Sequence, residues 1–217
     1  MRAQVLLPDG CIRIEPGCHA TEHVQVRNLA LTADRFTFEV VGAAASWTTL
    51  DPPILELGPE ATGQVALHFH PPRAAHVRAG QMPFGVLTTS ALGAGSVVEQ
   101  LLEVGSFTDT ALDLVPCAMR RRSATFRLLV ANRGNATVRA TLRGRDPGTA
   151  LRVDCVPSRI TVFPGGVAQS HIRVRPTSWH WRGRPRPLPF QVIVSTEDAT
   201  VPLSAAGELL HYPILPA

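Results

Sequence analysis

Three stretches of this chain hold side chains that could do chemistry. The first is "SWHWRGRPR" (178–186), where Trp179 and Trp181 alternate with Arg182, Arg184 and Arg186. Tryptophan and arginine are the residue types over-represented at interface hot spots, because an amphipathic ring and a planar guanidinium fork both desolvate well. The second is "CAMRRRS" (117–123), with Arg120, Arg121 and Arg122 side by side. A cysteine followed six positions on by arginine would suggest a phosphatase loop, but position 123 is serine, so this run reads as a basic edge or turn that also discourages unwanted strand pairing. The third is "HFH", which puts His68 and His70 on one face of a strand at a spacing that could ligate a metal. These residues define the candidate partner-binding set: Trp179, Trp181, Arg182, Arg184, Arg186, Arg120, Arg121 and Arg122.

No catalytic pattern accompanies them. The chain has no G-x-S-x-G, no H-E-x-x-H, no Gly-rich phosphate loop and no acidic pair suited to glycoside hydrolysis. No catalytic residue, cofactor or metal is therefore assigned, and the chain is expected not to be an enzyme. Cys11, Cys18, Cys117 and Cys155 include no C-x-x-C pair, so they do not read as a zinc finger. The opening apolar run is short and cut by Pro8 and Asp9, and no run approaches the length of a membrane span. The reading is a cytoplasmic chain whose cysteines are reduced, small, half-buried core residues, with a Cys11–Cys18 bridge as the sharper alternative.

All 21 basic residues are arginine, and they are unevenly placed. Residues 1–107 hold 6 Arg and 10 acidic residues, while residues 108–217 hold 15 Arg and 7, so the halves carry −4 and +8. Electrostatically distinct halves suit head-to-tail packing or docking on different partners.

The elements that must position these residues are set by an internal repeat. "HVQVRNLALTADRFTFEVVG" (23–42) parallels "TFRLLVANRGNATVRATLRG" (125–144), with Asn28 and Asn132 at strand ends and Gly42 set over Gly144. Further on, Pro53 is set over Pro157, Pro59 over Pro164, Pro71 over Pro176, and Pro83-Phe84 over Pro189-Phe190. Within each copy the apolar period is two, as in Phe36, Phe38 and Val40, or Phe190, Val192 and Val194. This predicts strands over 4–7 with 11–14, 22–28, 34–41, 54–57, 64–70, 83–90 and 96–104, then 111–115, 123–131, 136–143, 151–154, 159–163, 168–175, 188–195 and 200–207. About seven short antiparallel strands per hundred residues is the pattern of an immunoglobulin-like sandwich. The expected architecture is all-β: two tandem Ig-like antiparallel sandwiches, residues 1–106 and 107–217. Trp47 is expected to plug the end of the first core, with Leu151 and Cys155 filling that space in the second.

The motifs V-x-V-x-N (Val24, Val26, Asn28), D-R-F-x-F-x-V (Asp34–Val40), Trp47, P-x-x-L-x-L-x-P (Pro52–Pro59), F-x-P-P-R (Phe69–Arg73) and G-x-x-P-F-x-V (Gly80–Val86) resemble those of bacterial, actinobacterial-type tandem immunoglobulin-like proteins. The resemblance covers nearly the whole chain and implies the sandwich, not an activity. The functional expectation is a structural or adaptor protein that docks protein partners in a multi-subunit assembly through loops and sheet edges, in a setting such as a phage-tail-like contractile particle. The final "HYPILPA" (211–217) is expected to add itself to a neighbour's sheet edge. A glycan or cell-wall-binding module using Trp179 and Trp181 as stacking platforms is the alternative. Accessory nucleic-acid binding through the basic half comes second, since no nucleic-acid-binding signature accompanies that charge.

Overall fold

The computed structural model describes residues 3–7, 10–93, 95–120, 123–197 and 199–215. It divides into two compact units, Met1–Phe107 and Thr108–Ala217. Arg121 and Arg122 lie outside the described residues.

In the first unit the chain runs β1 (Ala3–Leu6), β2 (Ile12–Ile14), β3 (Ala20–Asn28), β4 (Asp34–Gly42), a single 3-10 turn (Ala45–Trp47), β5 (Thr48–Asp51), β6 (Ile54–Leu57), β7 (Thr62–Phe69), β8 (Gly80–Ser90) and β9 (Ser96–Val104). One sheet has the order β1-β3-β7-β5 and the other β2-β9-β8-β4-β6. Every pairing is antiparallel except that of β2 with β9, which is parallel. The period of two sends Val24, Val26, Phe36, Val65, Leu67, Phe69 and Phe84 into one core, where each is essentially buried. Trp47 packs against that core, tilted over Phe69 at 6.3 Å between ring centres.

The second unit repeats the plan: β10 (Thr110–Arg120), β11 (Ser123–Asn132), β12 (Val138–Arg145), β13 (Leu151–Val156), β14 (Arg159–Val162), β15 (Val167–Pro176), β16 (Arg186–Thr196) and β17 (Leu203–His211). Its sheets have the orders β10-β11-β15-β13 and β14-β12-β16-β17. Leu128, Ile172, Val174, Phe190, Val192 and Val194 form its core, and Leu151, Val153 and Cys155 pack there too. The two units are immunoglobulin-like β-sandwiches. Among the described residues no helix is long and apolar enough to cross a membrane.

The duplication is clearest at two buried asparagines. Asn28 Nδ2 donates to the carbonyls of Thr32 (2.9 Å) and Leu57 (3.1 Å), while its Oδ1 accepts from the Ala30 amide. Asn132 Nδ2 donates to Ala136 (2.8 Å) and Val162 (3.0 Å), and its Oδ1 accepts from the Gly134 amide. In both units the side chain closes the turn after a strand and ties it to the neighbouring sheet.

Several expectations are corrected. β5 escaped the sequence reading because only Thr48 of its four residues is buried, leaving no apolar alternation to see. The last strand begins at Leu203, not 200: Pro202 has no amide to give a ladder, Val201 stands exposed, and alternation resumes from Leu203. Gly144 is not the counterpart of Gly42. Gly144 pairs with Val192 and so takes the place of Val40, because Val153 fills the space a side chain would need. Pro157 likewise matches Pro52 rather than Pro53, each following a cis peptide bond at the end of β13 or β5. Of the cysteines, only Cys155 is half-buried; Cys11, Cys18 and Cys117 are exposed, and all four are free thiols.

Candidate partner-binding site

The loop between β15 and β16 carries the Trp/Arg stretch. Its base is fixed by the Thr177 amide, which donates to the Ala150 carbonyl (2.8 Å), and by the Thr177 hydroxyl on the Thr149 carbonyl (3.3 Å). Between the two tryptophans His180 turns inward and is 8% exposed, whereas Trp179 and Trp181 on either side are 60% and 63% exposed. The alternation carries the strand rule into the loop: one ring in, its neighbours out. His180 Nε2 lies 2.9 Å from the Arg184 carbonyl, and because a carbonyl only accepts, that nitrogen carries the hydrogen. This bond closes the loop over Gly183, whose φ of 117° is open to glycine at no steric cost.

The C-terminal segment supplies the other half of the support. Ile214 donates its amide to the His180 carbonyl (2.9 Å) and Leu215 to that of Trp181 (3.1 Å). "HYPILPA" was expected to reach a neighbour's sheet; residues 214 and 215 instead spend their amides on the loop of their own unit. Below, the His211 ring lies 5.6 Å from that of His180. Burial pushes the His211 imidazole below its usual range, and the nearby His180 and the Arg186 guanidinium push the same way. His211 is thereby biased towards its neutral form, a ring packed beneath the loop.

The result is a cationic, aromatic end of the second sandwich. Trp179 and Trp181 stand 6.4 Å apart with planes 36° from parallel. A concavity of about 330 Å³ opens beside them, with Trp179 and Tyr212 as aromatic walls, Arg175 as cation and Thr177 and Ser178 as hydroxyls. Among the described residues no carboxylate comes within ion-pairing distance of Arg182, Arg184 or Arg186, all exposed. Arg120 belongs to the same end: it pairs with Ser123 in β11, next to the Ala124–Val174 pair that precedes Arg175. The surface thus joins two stretches that the sequence showed apart. Sequence reasoning missed His180, His211 and Tyr212, which support or line the site; only the position of His180 between two tryptophans hinted at it.

The other candidate chemistry disperses. His68 Nδ1 bonds the Thr21 hydroxyl (3.0 Å), and His70 stacks on His19 at 3.8 Å. Among the described residues no group of three or more His, Cys, Asp or Glu is placed to hold a metal. Cys155 lines a shallow groove with Arg143 and Arg173, and burial raises its thiol pKa, with Asp154 adding to the rise against an opposing backbone hydrogen bond from Gly144. A thiol so shifted is a poor nucleophile.

No protein-family model matches the chain and no curated protein matches it by sequence, so the actinobacterial resemblance rests on the motifs alone. Among solved structures the chain is similar to a protein of unknown function from Porphyromonas gingivalis (16% identity, 97% of this chain and 100% of that chain, TM-score 0.37). It is also similar to the Pseudomonas aeruginosa CupB2 chaperone (9%, 93% and 98%, TM-score 0.36) and to the E. coli chaperone DraB (12%, 93% and 98%, TM-score 0.36). Likeness at this level transfers no role.

Proposed function

We propose that this chain is a non-enzymatic structural or adaptor protein that docks a protein partner through the Trp/Arg end of its second sandwich, as a cytoplasmic component of a larger assembly such as a phage-tail-like contractile particle. The observation that carries the reading is the exposure of Trp179 and Trp181 on a loop braced by His180 and by the amides of Ile214 and Leu215. Large rings cost little conformational entropy to present when the backbone beneath them is already bonded, and that is what a hot spot requires. Arg182, Arg184 and Arg186, with no carboxylate partner among the described residues, favour a partner with an acidic rim around an apolar pocket.

The test is affinity capture from the native cell with the wild-type chain and with Trp179→Ala/Trp181→Ala. The reading expects a stoichiometric protein partner that the double variant fails to retain, by about 2 kcal/mol or more of lost affinity. Equal capture by both chains, or retention on insoluble polysaccharide that the double change abolishes, would overturn it. Both rings are exposed, so the double variant should keep its stability within about 0.5 kcal/mol, and a lost partner cannot be blamed on unfolding.

A further inference from the structure

The two sandwiches differ at one seam. In the first, β1 pairs with β3 only as far as Leu6, after which the chain crosses to the other sheet and β2 adds itself in parallel to the outer edge of β9. Ile12 and Ile14 are 6% and 5% exposed there and belong to the core. Arg13 faces out and pairs with Glu103 at 2.9 Å. The Gln100 side chain holds the approach by donating to the Gly10 carbonyl, and the Gly105 amide donates to Ile14.

In the second sandwich no strand takes this place. β10 stays on β11 to Arg120, and β17 ends its sheet with no strand on its outer side among the described residues. β9 and β17 are otherwise matched: nine residues each, with the same alternation of burial, Leu102 standing for Leu209 and Val104 for His211. What is missing can be seen on β10. Met119 and Pro116 are paired with Ala124 and Phe126, which are 1% and 5% exposed, so their side chains share the core-facing side of the sheet. Yet Met119 is 58% exposed and Pro116 is exposed as well. Core-facing side chains left in water mark a seam that nothing among the described residues covers. At the place of Gln100 stands Gly207, with Phe190 and Leu114 of β10 filling the room a side chain would use. The Tyr212 amide, at the place of Gly105, has no acceptor among the described residues.

We infer that this seam receives an extended segment of another protein chain, running parallel to β17, with apolar side chains at two alternate positions and an acidic residue next. The alternation follows from the slot, since inward side chains must cover Met119 and Pro116 while the residue between them faces out beside Leu210. The acidic residue follows from charge: Glu15 succeeds Ile14 in β2 and lies over Gly105, and the corresponding corner of the second sandwich carries Arg186 opposite His211 and Arg120 at the end of β10. The unit as a whole is strongly basic, at +8. The inference deepens the partner-docking reading and rests on it, but it uses the seam and shares only Arg120 and Arg186 with the Trp/Arg surface.

The experiment uses the full chain labelled at its methionine methyls and a synthetic peptide with the sequence of residues 10–16, Cys11 replaced by serine. The Met119 methyl is expected to shift saturably while that of Met82, in the other unit, stays still. A peptide with the Ile and Arg positions exchanged, which turns the apolar side chains outward, should bind about ten-fold more weakly or worse. Met119→Arg, a change at an exposed site, should abolish the peptide's binding heat in titration calorimetry while leaving the melting temperature in place. Trp179→Ala/Trp181→Ala should lose native capture yet bind the peptide normally; native capture kept by that variant with peptide binding intact would be a failed loop reading, whereas an unmoved Met119 methyl is a failed seam. An unmoved Met119 methyl, or equal binding of the two peptides, would overturn the inference. So would a concentration-dependent dimer that Met119→Arg dissolves, since the occupant would then be a second copy.

Discussion

Replacing Asn132 with alanine should be among the most damaging single changes in the second sandwich. The residue is 1% exposed and makes three hydrogen bonds, two donated by Nδ2 and one accepted by Oδ1. Each contributes about 1 kcal/mol net, and the Val162 carbonyl left without its donor in a buried setting adds about 1–3 kcal/mol. A loss of about 4–6 kcal/mol follows, a large share of the roughly 5–15 kcal/mol that a domain has. In urea, with a slope of about 2 kcal/mol per molar, the unfolding midpoint of this unit should fall by about 2–3 M. Asn132→Asp sharpens the test. It keeps the shape and the acceptor but replaces the two-hydrogen donor with a carboxylate oxygen facing two carbonyl lone pairs. The loss at neutral pH should match or exceed that of alanine and shrink in acid, where a protonated carboxyl can donate once. If Asn132→Ala costs under about 1 kcal/mol, or Asn132→Asp is as stable as wild type, the buried network is not what closes this turn.

Further outcomes follow from other contacts. Because burial, His180 and Arg186 lower the His211 pKa, the unfolded chain binds a proton there more readily. Stability is thus fully present above the usual imidazole pKa of about 6.5 and falls as acid passes below it; thermal melts from pH 7.5 to 5.5 should show this, with a shallower fall in His211→Gln. Cys11, Cys18 and Cys117 are exposed while Cys155 is half-buried with a raised pKa, so a disulfide reagent at mildly alkaline pH should consume three thiols quickly and the fourth slowly; four equal rates would refute the assignment. Gly144→Ala would put a methyl 2.5 Å from the Val153 carbonyl oxygen and should cost about 1–3 kcal/mol in urea unfolding, whereas Gly148→Ala, which meets only the Asp146 side chain, should cost far less.

The fold was legible where side chains alternate. Phe36, Phe38 and Val40, or Val192 and Val194, mark their strands because one face of each is buried and the other wet. β5 was not legible, since a strand with one buried residue leaves no period. Equivalences between the copies were legible at Asn28 and Asn132, whose chemistry is needed, and misread at Gly144, where the glycine reflects a neighbour's bulk and not a turn. In the site, the Trp/Arg stretch announced itself by composition. Its support did not, because His211 and the amides of Ile214 and Leu215 reach the loop from the far end of the chain.

The seam between β10 and β17 shows what a duplicated scaffold can gain by losing a piece. In the first copy pairing with β3 runs to Leu6, and β2 closes the opposite sheet. The second copy meets a proline, Pro116, absorbs it with a register shift before Ala118 and keeps pairing to Arg120. An edge strand tolerates such a proline because one of its sides is unbonded. The longer β10 leaves the outer edge of β17 without a paired strand among the described residues, and Met119 in water. Burying an aliphatic side chain such as Ile12 contributes roughly 1.5–3 kcal/mol, so omitting both isoleucines forgoes stabilisation that the first unit keeps. A second sandwich that folds around its own buried apolar residues, Leu128, Ile172 and Phe190 among them, leaves that free energy to be recovered when another chain supplies the strand.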